Sequence, residues 1–207
     1  MSVMLESPPR AAVRSRTTAV DLWARPDEKQ FELVNGELTE RTMSWESERI
    51  GTNLLLALGG FVRQRNCGEV VGSNAGYQCF HAVVPADPDR VRKPDVSFIT
   101  AARVPRDPIV RGYCRVAPDL AVAVISPNDL SDDVEGKIDE YLKAGVRLVW
   151  VVHSQVKTVR IHRADGTVQV LRIDEELSGE DVIPGFRCPV SEVFRMPEPA
   201  PANEAVS

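Results

Sequence analysis

Long apolar runs are missing from this 207-residue chain. Stretches such as 54–58 and 149–152 fall well short of the roughly 20 residues that a bilayer-spanning helix needs, so no membrane span or membrane partner is expected. The opening MSVMLESPPRAAVRSR also lacks the apolar core of a secretory signal. Paired cysteines are missing too: Cys67, Cys79, Cys114 and Cys188 are scattered without a CxxC motif, which argues against a zinc site or a disulfide framework. A reducing, cytoplasmic setting is the simplest expectation. A Cys79-x-His81 pair would share one strand face, but two ligands rarely make a site. There is no excess of positive charge, since 25 Lys and Arg stand against 30 Asp and Glu, for a net charge of -5. Contact with nucleic acid would therefore have to be local, because phosphate binding is driven by clustered cations. Arg90, Arg92 and Lys93 form one candidate nucleic-acid-binding cluster, and Arg10, Arg14 and Arg16 another; both are also compatible with ordinary solvated surface. A G-x-S-x-G elbow is absent, and Ser126 is followed by a proline that has no N–H for an oxyanion hole, which excludes a serine hydrolase built on Ser126 and His153.

What remains suits one domain with one sizeable core, at 43% hydrophobic residues. Residues 1–16 and 196–207 are rich in Pro, Ala, Ser and charge and are expected to be disordered tails around a domain at 17–195. Thr18 can cap a short helix that ends before Arg25-Pro26. Asn35-Gly36 between alternating apolar residues predicts a two-residue hairpin, because its turn needs positive φ at both central positions. Ile50, Leu54, Leu58 and Phe61 recur at helical spacing and predict an amphipathic helix over 46–64.

Strands are expected at 69–72, 76–81 and 95–99, and the almost wholly apolar DLAVAVIS (119–126), ended by Pro127, reads as a central strand covered on both faces. Asp132 or Asp133 is expected to cap a helix that runs to Ala144 and stops at Gly145. Another buried strand at 148–153 and a hairpin across 157–173 complete an α/β or α+β sandwich.

The most informative strings are RVRKPDVSFI and PDLAVAVISPND, with Ala123 standing 28 positions after Asp95. In nucleases of the PD-(D/E)xK type, an acid at the start of one strand and a second acid in the next hold a divalent metal. Carboxylates suit Mg²⁺ because it is a hard cation that takes oxygen ligands. Alone, Asp95 is equally readable as a strand-start aspartate bonded to backbone.

Five motifs in order, FELVNGEL (31–38), RKPDVSFI (92–99), PDLAVAVISPND (118–129), KIDEYLKAGVRLVWVV (137–152) and IPGFRCPVSEVF (183–194), resemble the Uma2 family. The resemblance implies a restriction-endonuclease-like mixed sheet flanked by helices, with β-hairpins at its N- and C-terminal ends. It also implies a metal-dependent DNA endonuclease with Asp95 as metal ligand, Lys137 as the positioned cation, Glu32 as an auxiliary acid, and Mg²⁺ or Mn²⁺ as cofactor. The metal would polarise the phosphodiester and lower the pKa of the attacking water. Lys137 is also readable as a helix-surface lysine, and Glu32 as cover for the hairpin edge.

The chain departs from the family pattern at Ala123, where relatives carry Glu, and also at Ser47 and His153. A methyl group cannot ligate a metal, so the expected ion would be weakly held and cleavage impaired. Asp119 lies about 13 Å along the strand from position 123, too far to substitute. Glu32 or Glu69 from neighbouring strands are the remaining acids that could reach. The alternative is a non-catalytic DNA- or protein-binding module that retains the nuclease fold. The apolar elements also allow a homodimer. Dependence on a chelator separates the two readings.

Overall fold

The computed structural model describes residues 16–41, 44–106, 112–126 and 130–197. Most of residues 1–16, Pro127 and most of 196–207 lie outside the described residues, so the expected tails and the strand-ending proline are not addressed by it.

Two short elements lead in. Helix α1 (Ala19–Trp23) begins at Thr18, whose hydroxyl accepts from the Asp21 amide while the Asp21 carboxylate accepts from the Thr18 amide. Strands β1 (Phe31–Val34) and β2 (Glu37–Glu40) form the expected hairpin, with Asn35 at φ 55° and Gly36 at φ 75°. Leu33 exchanges backbone hydrogen bonds with Val91, which ties the hairpin to the loop that precedes Asp95.

The main sheet has six strands in the order β3-β4-β5-β6-β7-β8: β3 (Gly68–Gly72), β4 (Val96–Thr100), β5 (Leu120–Ile125), β6 (Leu148–His153), β7 (Thr158–Arg163) and β8 (Val168–Leu171). All neighbours run antiparallel except β5 and β6. That parallel pair needs a crossover, which α3 (Ser131–Lys143) supplies. The apolar run of β5 is explained by its place between β4 and β6, with a helix on each face.

Alternation sorts the strand residues between those faces. Leu120, Val122 and Val124 face α2 (Trp45–Arg65), where Ile50, Leu54, Leu58 and Val62 form the larger core with Trp150 and Val152. A C-terminal unit of β9 (Glu176–Ser178), β10 (Arg187–Pro189) and α4 (Val190–Val193) closes that same core through Leu177, Ile183 and Phe186. Ala121, Val149 and Val151 face Ile138 and Tyr141 of α3 on the opposite side.

Two sequence expectations are corrected. Residues 76–81 form no strand: Tyr77 makes isolated bridges to Arg92 and Cys114, backed by backbone hydrogen bonds of Gly76, Tyr77 and Gln78, and its hydroxyl bonds Ser97 at 2.7 Å, so this segment is pinned at a few points rather than by a continuous ladder. Cys79 is buried while His81 is exposed, so the two do not act together. Helix α3 starts one residue before Asp132, with Leu130 at the cap and no side-chain cap bond. Asp132 and Asp133 instead lie in its first turn, where their charge favours the helix dipole.

Candidate functional site

Strand β4 begins where Asp95 meets β5. The Asp95 backbone N–H donates to the Val122 carbonyl at 2.8 Å, and its carboxylate accepts the Val124 amide at 2.6 Å. Asp95 therefore straddles Ala123, using both its main chain and its side chain. Its other oxygen meets Nη2 of Arg41 at 3.2 Å. Arg41 follows β2 and is held in place by donating to the Ser73 carbonyl at 2.9 Å.

Glu32 enters from β1. Its Oε1 accepts Nζ of Lys137 at 2.7 Å and the Lys93 amide at 2.7 Å, and its Oε2 accepts Nη1 of Arg92 at 3.0 Å. Burial alone would push this carboxyl's pKa up, but Lys137 and Arg92 outweigh it and hold the value down at about 2. Asp95 shows the reverse balance. Burial raises its pKa above the usual carboxylate value, against the opposing pull of Lys137, the Val124 amide and Arg41.

These side chains line one cavity of about 450 Å³. Asp95, Ala123, Lys137 and Glu32, which the sequence singled out, all face it, together with Arg41 and Arg92. An apolar wall of Val34, Ile125, Val134, Ile138 and Tyr141 completes it. Asp95 also borders a second hollow of about 350 Å³ between the start of α2, at Ser47 and Gly51, and the end of β3. It is thus the wall between two depressions.

The expected basic cluster is not a surface patch. Lys93 is 0% exposed, and its ammonium is enclosed by the Glu28 carbonyl and carboxylate at 2.6 Å each, over the ring of Tyr113. Arg90 is buried between Asp87, Asn35 and Glu140. Arg92 reaches the cavity but is gripped by Glu140 at 2.7 and 3.0 Å as well as by Glu32. An isolated buried cation is costly, so these three are held by carboxylates and serve to fix Glu32 and α3. Arg16 is exposed beside Asp87, and Arg10 and Arg14 lie outside the described residues.

Two other sequence candidates are placed away from the cavity. Asp119 is buried at the far end of β5, where it accepts the Thr100 amide and pairs with Arg103. Glu69 is exposed on β3. Sequence reasoning missed Arg41 and Glu140. Arg41 lies in no motif and Glu140, though within KIDEYLKAGVRLVWVV, has no partner nearby in sequence, because each meets its partner only after a separation of about 50 residues is closed by the fold.

A divalent ion such as the Mg²⁺ or Mn²⁺ that the family resemblance implies requires several free oxygen donors. Glu32 and Asp95 already receive hydrogen bonds on each carboxylate oxygen, and Ala123 in β5 presents only a methyl group to the cavity. Among the described residues, no group of three or more His, Cys, Asp or Glu side chains could hold a metal ion. The residues present do not fit a resident Mg²⁺ or Mn²⁺.

Three comparisons bear on this site. The family model Uma2, described as "Putative restriction endonuclease", matches residues 18–191. A crystal structure from Anabaena variabilis, titled as "a putative nuclease belonging to DUF820", superposes with a TM-score of 0.71 at 17% identity. That likeness covers 86% of this chain and 97% of the other, and it shows a shared fold. A search of curated proteins found no match. No helix among the described residues is long and apolar enough to cross a membrane. Because the family model spans the hairpin with Glu32, the strand start with Asp95, β5 with Ala123 and the helix with Lys137, the chain belongs to the Uma2 family of nuclease-fold proteins.

Proposed function

We propose that this chain is built as a metal-dependent DNA endonuclease and that, with Ala123 in β5, its phosphodiester hydrolysis is impaired. One observation carries the reading: Asp95 brackets position 123 through the amide of Val124 and the carbonyl of Val122, in a cavity that also receives Lys137 and Glu32. A carboxylate at 123 would project beside that of Asp95. Mg²⁺ is commonly held by one or two carboxylates together with substrate phosphate oxygens, and a carboxylate at 123 beside Asp95 would complete such a set next to Lys137. When bound, such an ion would polarise the phosphate and acidify its attacking water. In its absence, Lys137 neutralises Glu32, and Arg41 neutralises Asp95.

The decisive experiment is Ala123→Glu. Mn²⁺ affinity measured by calorimetry is expected to rise by about tenfold or more. Metal-dependent nicking of supercoiled plasmid, abolished by chelator, is expected to rise with it. No gain in either would sink the assignment. The second reading, a non-catalytic DNA- or protein-binding module, is favoured by the pairing of Asp95 with Arg41, which needs no ion. It expects partner binding that chelator leaves unchanged, both in the parent and in the variant.

A further inference from the structure

Asp95 stands where two depressions meet, and the cation beside it comes from the chain itself. The guanidinium of Arg41 sets Nη2 at 3.2 Å from one Asp95 oxygen, and Nη1 at 2.9 Å from the Ser73 carbonyl and 3.4 Å from the Lys29 carbonyl. The Arg41 backbone N–H donates to the Gln30 carbonyl at 2.8 Å, which fixes the base of the side chain. Ser73 borders the smaller hollow and Arg41 the larger, so the guanidinium lies along the partition between them. Its side chain is only 9% exposed. A planar guanidinium offers its donors in a rigid fork, which suits acceptors that come from three separate segments.

The other carboxylates of the wall do not assemble an ion site around Asp95. Glu32 is taken up by Lys137, Arg92 and the Lys93 amide. Glu40 and Asp133 are exposed at the rim, one next to Arg41 at the end of β2 and the other one turn before Lys137 on α3. Among the described residues, neither joins two further ligating side chains. With them, the wall carries four carboxylates, Glu32, Glu40, Asp95 and Asp133, against three cations, Arg41, Arg92 and Lys137. Arg92 and Lys137 are committed to Glu32, so Arg41 is the cation that answers Asp95.

We propose that Arg41 is a built-in counterion: its guanidinium compensates Asp95 in place of a divalent ion and makes the stability of this site independent of metal. The pocket around Asp95 is thereby a guanidinium site that the chain fills itself. The inference concerns the chain as it stands, with alanine at 123. It holds whether or not Ala123→Glu gains Mn²⁺ affinity, so it and the endonuclease reading fail separately.

The test is chemical rescue of Arg41→Ala, read by melting temperature. The parent is expected to melt at one temperature with chelator and with millimolar Mg²⁺ or Mn²⁺. Arg41→Ala leaves a buried carboxylate without its cation and is expected to lower the melting temperature by roughly 5–10 °C. Millimolar guanidinium or methylguanidinium, far below denaturing concentrations, is expected to recover most of that loss saturably, against sodium chloride of equal ionic strength. Mg²⁺ and Mn²⁺ are expected to recover none of it. In an Asp95→Asn background the loss shrinks and guanidinium has no effect, whereas Glu40→Gln and Asp133→Asn leave the rescue intact. No guanidinium recovery, equal recovery by Mg²⁺ or Mn²⁺, or a rescue that needs Glu40 or Asp133 rather than Asp95 would each overturn the proposal. So would a parent melting temperature that moves with chelator. If Arg41→Ala does not fold, Arg41→Gln is compared in the Asp95 and Asp95→Asn backgrounds, where equal losses again overturn it.

Discussion

The two faces of the six-stranded sheet are stabilised in different ways. Beneath α2 the strands contribute Val122 and Trp150 to a continuous apolar core with Leu54 and Leu58, and that core contains no ion pair. Beneath α3 the apolar layer of Ala121, Val149 and Val151 gives way to a cavity whose wall holds Glu32, Arg41, Arg92, Asp95 and Lys137. On the first face, each side chain contributes in proportion to the area it removes from water, so losses are local. On the second face, Glu32 and the cations around it depend on one another, and removal of Glu32 leaves Lys137 and Arg92 without its carboxylate. The contrast places the apolar core on one side of the sheet and the buried charges on the other.

Breaking the charge at Glu32 should therefore match the removal of a large core side chain. Glu32→Gln leaves Lys137 and Arg92 facing a neutral amide and is expected to cost about 3–5 kcal/mol in urea denaturation at pH 7. A loss below about 1 kcal/mol would show that the two cations relax into solvent and that the face is not coupled. The same residue sets an acid dependence. Its pKa falls from 4.5 to about 2 on folding, so its contribution is complete above pH 4.5 and is lost as the pH drops towards 2. The parent should lose roughly 3 kcal/mol across that window that Glu32→Gln does not lose. Parallel stability curves for the two proteins would refute the assignment.

On the apolar face, Leu54→Ala is expected to cost about 3 kcal/mol by leaving a cavity in the core, with no effect on metal or DNA binding by the Ala123→Glu variant. A change in binding would mean that α2 and the cavity communicate through Asp95. The smallest effect is expected at Asp95. Its raised pKa means that folding disfavours its ionised form above pH 4, so Asp95→Asn, a neutral mimic, should stay within about 1 kcal/mol of the parent at pH 7. In the Ala123→Glu background, Asp95→Asn should instead erase the gain in Mn²⁺ affinity. Retention of that gain would remove Asp95 from the site.

Local patterns announced most of the scaffold. Asn35-Gly36 specified its turn, Leu54 and Leu58 marked the buried face of α2, and the unbroken apolar run of 120–125 marked a strand covered on both sides. Segment 76–81 misled because it alternates like a strand, yet its place is fixed by isolated bridges to Arg92 and Cys114 and a tyrosine hydroxyl bound to Ser97 rather than by a continuous ladder. The site was half legible. Asp95, Ala123, Lys137 and Glu32 were flagged by motif and do line one cavity. Arg90 and Lys93 read as surface cations because sequence shows charge without showing burial, and the Glu140 and Glu28 carboxylates that enclose them lie 50 and 65 residues away.

The sequence by itself determined most of the element order, the apolar stripe of each helix, the tight hairpin and the alanine at 123. These follow from spacing, turn chemistry and residue identity within a few positions of each other. Tertiary structure alone decided that Arg41 neutralises Asp95, that Glu32 saturates its oxygens with three donors, and that the hydroxyl of Tyr141 is left without an acceptor. Pairing of buried charges and hydroxyls depends on which distant segments the sheet brings within 3 Å of one another, and no local pattern encodes that.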